Sequence, residues 1–136
     1  MMKNGLVILA DKHQDMLEGI RGLLETVFDT VVMVADRDAL FETAQRLEPD
    51  LAIVDLSLPI ASEINIVRQF KERHPDLKCI VLSVHDDEEV IEQVLSSGAV
   101  GFVLKRTAGA DLIPAVVEVL EGRTFVSAGE AVRTRR

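Results

Sequence analysis

The chain has 136 residues, 48% hydrophobic and 28% charged, a composition that fits one globular domain with one core and excludes a disordered polymer. Its formal net charge of −8 sets the surface as a whole against a phosphate backbone or an anionic membrane. No stretch approaches the roughly 20 apolar residues of a membrane span. Five Phe and no Trp or Tyr imply an aliphatic core without platforms for stacking bases. The single cysteine, within Cys79-Ile80-Val81-Leu82, reads as a buried thiol of a reducing compartment, with the cytoplasm as the expected location.

Leu6 to Ala10 is a short branched run ending at Asp11 and reads as a first strand. From Gln14 onward Met16, Leu17, Ile20, Leu23, Leu24 and Val27 recur at helical spacing, which predicts a helix ending near Phe28. Val31 to Val34 predicts a second strand. Leu40, Ala44 and Leu47 predict a second helix that stops before Glu48-Pro49. Asp50 to Pro59 is the stretch around which the rest is organised: four apolar residues run into Asp55, as in a strand buried on both faces, and Pro59 closes it. Ile66, Val67 and Phe70 mark a third helix ending near His74-Pro75, and Cys79 to Leu82 a fourth strand. Acidic residues from Asp86 to Glu89 open a fourth helix with Val90, Ile91, Val94 and Leu95 on its buried stripe and Gly98 at its stop. Val100 to Leu104 is a fifth strand. The last helix carries Leu112, Ile113, Val116, Val117 and Leu120, with Pro114 forcing either a late start near Asp111 or a kink.

Such alternation predicts a doubly wound, flavodoxin-like α/β fold: a five-stranded parallel sheet of order 2-1-3-4-5 with five flanking helices. Residues 1–122 form the domain. Residues 123–136, with four arginines, read as a solvated tail or the start of a connection. In open α/β sheets the ligand crevice lies at the carboxyl ends of the strands. Those ends deliver Asp11, Lys12 and His13 from strand one, Asp55 from strand three, Ser83 and His85 from strand four, and Lys105 from strand five.

Asp11, Asp55 with Pro59 four residues on, Ser83, and Lys105 three residues after Phe102 together resemble the receiver domain of bacterial two-component response regulators. The resemblance covers about Leu6 to Glu121. Ala10-Asp11-Lys12-His13, Gly101 to Lys105 and Glu121-Gly122-Arg123 look most like the NarL/LuxR-type subclass, whose receiver precedes a DNA-binding domain. It implies a chain that is either a piece of a longer regulator or a stand-alone receiver. It also implies roles. Asp55 is the phosphoacceptor, charged by a sensor histidine kinase; Asp11, Asp55 and the Ser57 carbonyl hold Mg²⁺; Lys105 and Ser83 meet the phosphoryl oxygens; Phe102 swings inward behind Ser83. The output is then a changed face of the fourth helix, fifth strand and fifth helix, with a homodimer as one assembly. No enzyme activity on a separate substrate, no membrane contact and no nucleic-acid contact through this chain are expected, any DNA binding belonging to a further C-terminal domain.

Three positions depart from the family pattern. Receivers usually end strand one with two acids, and here the second is Lys12, so the pocket charges of Asp11, Asp55, Lys12 and Lys105 cancel and Mg²⁺ affinity is expected to fall. The Lys12 ammonium is expected to pair with Asp55. Pro59-Ile60-Ala61-Ser62-Glu63 replaces a loop that usually carries glycines, and Arg106 stands where many receivers have proline. The alternative function is a pseudo-receiver, an interaction module that kept the fold and lost the phosphoryl switch because of Lys12. A dehalogenase-like aspartyl phosphatase is disfavoured because Ser57 stands where that chemistry needs a second acid, and a flavodoxin because Asp11 to Asp15 is unlike its phosphate loop.

Overall fold

The five predicted apolar runs become β1 (Leu6–Ala10), β2 (Thr30–Val34), β3 (Leu51–Leu56), β4 (Lys78–Ser83) and β5 (Gly101–Leu104) of a computed structural model, which describes residues 5–11, 18–56, 60–85, 87–128 and 131–135. Between them run α1 (Glu18–Leu24), α2 (Arg37–Leu47), α3 (Ile60–Arg73) and α4 (Glu88–Ser96), and α5 (Ala108–Leu120) follows a 3-10 turn at Lys105–Thr107. All five strands are parallel in the order β2-β1-β3-β4-β5. The switch point, where the chain leaves β1 for opposite sides of the sheet, therefore lies between β1 and β3.

The two-residue pleat sorts side chains onto two faces. Ile8, Ala52, Val54, Cys79, Val81, Phe102 and Leu104 share one core with residues of α2, α3 and α4. Val7, Leu9, Leu51, Ile53, Ile80, Leu82 and Val103 share the other with residues of α1 and α5. The strands are continuous apolar runs because both faces are covered. No helix among the described residues is long and apolar enough to cross a membrane.

The sheet differs from the predicted one at its edge, for the described residues form seven strands. After α5 the chain forms β6 (Thr124–Ala128), parallel to β5, and β7 (Ala131–Arg135), antiparallel to β6. The reading of 123–136 as a solvated tail thus fails at Phe125 and Val126, which are buried on opposite faces. Gly122 makes the return possible. At φ +91 it closes a Schellman stop in which its N–H donates to the Val119 carbonyl and the Arg123 N–H to that of Glu118, turning the chain back toward β5.

Two helix boundaries also moved. The predicted start of the first helix near Gln14 lies outside the described residues; its end comes at Leu24, and a turn then carries Phe28 into the core with its N–H still bonded to the Leu24 carbonyl. The last helix begins at Ala108 rather than near Asp111 and runs on with Pro114 inside it. Pro114 and Ala110, whose carbonyl loses its helical donor there, are both on the exposed side, where water can substitute.

Candidate functional site

Asp11 follows the last residue of β1, and its N–H donates to the Val34 carbonyl at 3.0 Å, which fixes it as the sheet's last rung on that side. Asp55 is the fifth residue of β3, opposite Leu82 of β4. Because β1 and β3 are neighbours, the two carboxylates converge at the switch point, each only 3% exposed. Lys105 reaches the same place from the first residue after β5. Its ammonium is in direct ion-pair contact with Asp55 Oδ2 and stands 3.9 Å from Asp11 Oδ2. Three of the residues predicted to share one pocket therefore do so.

The electrostatics of this cluster are opposed. Burial is the largest influence on Asp55 and pushes its pKa up to about 7; the neighbouring Asp11 carboxylate pushes the same way, while Lys105 pulls it down. Asp55 Oδ1 is buried with no hydrogen-bond partner among the described residues, so acceptor capacity is left for a cation or a donor. By contrast, burial pushes the Cys79 thiol up to about 12 and keeps it protonated, as its place in β4 suggests.

Ser83 ends β4, fully buried, and its hydroxyl is turned toward the following loop: Oγ accepts from the His85 N–H at 2.9 Å and donates to the His85 carbonyl at 3.2 Å. Among the described residues it makes no hydrogen bond to Asp55. Phe102 lies opposite Val81 with no exposed surface, in the inward position, packed in the core that holds Val90, Ile91 and Val94 of α4. His85 is exposed at the rim. Lys12, His13, Ser57 and Pro59, and with them the expected Lys12–Asp55 pair, lie outside the described residues. So does the carbonyl expected as a third metal ligand. Among the described residues no group of three or more His, Cys, Asp or Glu is gathered for a metal ion.

One polar residue at this end of the sheet escaped sequence reasoning. Ser127 of β6 is 1% exposed, and its Oγ accepts from the Leu104 N–H at 2.8 Å, immediately before Lys105. The signal was the Thr124-Phe125-Val126 run just past a glycine stop, three strand-forming residues before Ser127 that the arginines after them obscured.

In chemical terms the described residues make a dry carboxylate at a strand end, held by the Lys105 ammonium and flanked by a second carboxylate. Such a group can act as a nucleophile toward phosphorus, with the cation placed where negative charge would accumulate. The profile of the response regulator receiver domain matches residues 7–117. The chain is 33% identical over 122 residues to the transcriptional regulatory protein DegU of Brevibacillus brevis, covering 88% of this chain and 52% of that protein. It is 35% identical over 123 residues to the oxygen regulatory protein NreC of Staphylococcus epidermidis, covering 88% and 56%. Both are NarL/LuxR-type response regulators, and the chain spans about half the length of these curated relatives. The isolated receiver domain of RcsB from Salmonella enterica serovar Typhimurium, solved with the phosphomimetic BeF3−, superposes with a TM-score of 0.80 at 32% identity over 92% of this chain and 94% of that one. A profile match across most of the chain, relatives of this similarity and a shared fold lead to one conclusion: the chain belongs to the response regulator receiver domain family.

Proposed function

We propose that Asp55 is the phosphoacceptor of this receiver domain and that a sensor histidine kinase is its donor. A carboxylate oxygen of Asp55 attacks the phosphorus of a phosphohistidine, the P–N bond breaks, and the imidazole leaves and takes up a proton. The single observation that carries this reading is the buried contact between the Lys105 ammonium and Asp55 Oδ2. A strand-end carboxylate already held by a cation is where the added charge of roughly −1.5 to −2 can be neutralised. Lys105 then turns from the carboxylate to the phosphoryl oxygens. Ser83 gives up its His85 contacts to donate to them, and the inward position that Phe102 already holds is the one that the switched state keeps.

Receiver domains typically bind Mg²⁺ at the phosphorylation site. The residues of this chain fit a hard dication in kind: Asp11 and Asp55 supply carboxylate oxygens, and Asp55 Oδ1 has acceptor capacity to spare. These two, with the Ser57 carbonyl, would hold it. Bound there, the ion would supply positive charge to the oxygens of the transferring group. Lys12 in place of the second acid argues for weak binding, since it removes one ligand and adds a like charge.

The output is a face of α4, β5 and α5 offered to a partner or to a second copy of the chain. Receiver domains interact with histidine kinases, which supports the cytoplasm as the site of action. DNA contact, if the whole protein makes it, belongs to a domain beyond 123–136, because the net charge of −8 repels phosphate.

Intact mass after incubation with acetyl phosphate tests the reading, with and without Mg²⁺, on the wild type, Asp55→Asn and Lys12→Asp. One phosphoryl group on the wild type and none on Asp55→Asn supports it. Modification of Lys12→Asp alone would overturn it in favour of the pseudo-receiver.

A further inference from the structure

We propose that Ser127 is a positioning residue that couples the docking of β6 to the contact between Lys105 and Asp55. β6 lies outside the residues matched by the family profile, 7–117, yet it is built onto the strand that delivers Lys105. The parallel ladder between β5 and β6 pairs Gly101 with Phe125 and Phe102 with Val126 and goes no further. Beyond that rung the Ser127 hydroxyl takes over, accepting from the Leu104 N–H at 2.8 Å and donating to the Phe102 carbonyl at 3.5 Å. One side chain thus clamps the backbone on both sides of Val103, between the switch aromatic and the residue next to Lys105.

The clamp is dry, with Ser127 only 1% exposed, so water cannot replace a bond that opens without local undocking. Packing ties the same elements together. Val126 shares a core with Phe102 and Leu104, and Phe125 shares the opposite core with Val103. A pull on Lys105 toward an enlarged group on Asp55 moves the Leu104 N–H against a hydroxyl held in β6. Reciprocally, losing β6 slackens the backbone that aims Lys105, as linkage requires.

The phosphorylation arm of the test rests on Asp55 being the phosphoacceptor; a second arm does not. Amide hydrogen exchange across 124–128 would be measured on the full chain for the wild type, with and without acetyl phosphate and Mg²⁺, and for Lys105→Met, Ser127→Ala and Ser127→Thr. Exchange of the β6 amides should rise about fivefold, the equivalent of one net hydrogen bond, both on phosphorylation and in Lys105→Met. Ser127→Ala should be fast from the start and show no further rise. Ser127→Thr, which keeps the hydroxyl, should restore the response. Protection retained over Arg37–Leu47 of α2 reports that each variant is folded, and the exchange of the β6 amides is read relative to it. A phosphorylated wild type with unchanged β6 exchange overturns the coupling, as does Lys105→Met with unchanged exchange. If no phosphoryl group is taken up, the functional reading fails by itself and the Lys105→Met arm still decides the coupling.

Discussion

At the scale of single residues the site is a contest over the charge of Asp55. Its folded pKa, near 7, stands above the ordinary 3.8 because burial and the Asp11 carboxylate outweigh Lys105. The sign follows from linkage: a carboxyl raised in the folded state contributes stability that is fully present below its unfolded pKa and is lost as pH rises through the folded one. Between about pH 4 and 7 the metal-free chain should therefore lose stability through this group, by up to about 4 kcal/mol at roughly 1.4 kcal/mol per unit. Asp55→Asn removes the titration. In urea unfolding with EDTA the variant should be more stable than the wild type at pH 8, and the two should converge toward pH 4. A gap independent of pH would show that desolvation does not govern Asp55. Lys105→Met should move the other way, destabilising the chain by about 3 to 5 kcal/mol at pH 8, since it removes one partner of the buried ion pair with Asp55.

Asp55, Asp11 and Lys105 were legible in the sequence because each ends an apolar run, and strand ends in an alternating fold have few places to go. The burial of Phe102 was legible from its place in the apolar run of β5, while its role as a switch rests on the family resemblance alone. Ser127 was not, because a lone serine acquires its role only when β6 pairs with β5 and brings its hydroxyl to Leu104.

At the scale of elements, strands were easier to read than helix ends, since a run of branched side chains states its own limits while a helix stops on local backbone geometry. α2 shows this. Asp36 caps its start, accepting from the Ala39 N–H at 2.8 Å, but its end at Glu48 sits at φ 49 and ψ 65, a left-handed conformation ordinarily given to glycine. Pro49 follows and forbids continuation. Glu48→Gly should therefore stabilise the chain by roughly 0.5 to 1 kcal/mol, about 2 to 4 °C in Tm by calorimetry, with no change in the site. Equal or lower stability would mean that Glu48 makes a compensating contact. At Gly101 the constraint is space rather than φ: a Cβ there would stand 2.7 Å from Ile80 Cγ1 and 3.3 Å from Val119 Cγ2. Gly101→Ala should cost about 1 to 3 kcal/mol by overpacking β5 against both neighbours.

For the molecule as a whole, β6 sets where the folded unit ends. The sequence placed that boundary at Gly122 because the helical period stops there and four arginines follow. What it could not display was the unpaired edge of β5, a row of backbone groups that β6 covers. Burying Phe125 and Val126 contributes about 1.5 to 3 kcal/mol each, and the bonds from Phe125 N–H to the Val100 carbonyl and from Leu104 N–H to Ser127 about 1 each. Ordering five residues opposes this by about 1 to 2 kcal/mol apiece. The terms nearly cancel, which suits a strand that docks and undocks. A chain ended after Arg123 keeps the α5 stop and loses only the edge strands. It should unfold about 1 to 3 kcal/mol more easily than the full chain, and by exposing the edge of β5 it should self-associate more as concentration rises. Urea unfolding and sedimentation velocity over a concentration series measure the two effects. Equal stability and no added self-association would show that the folded unit ends at Gly122 after all, and that β6 rests on β5 without holding it.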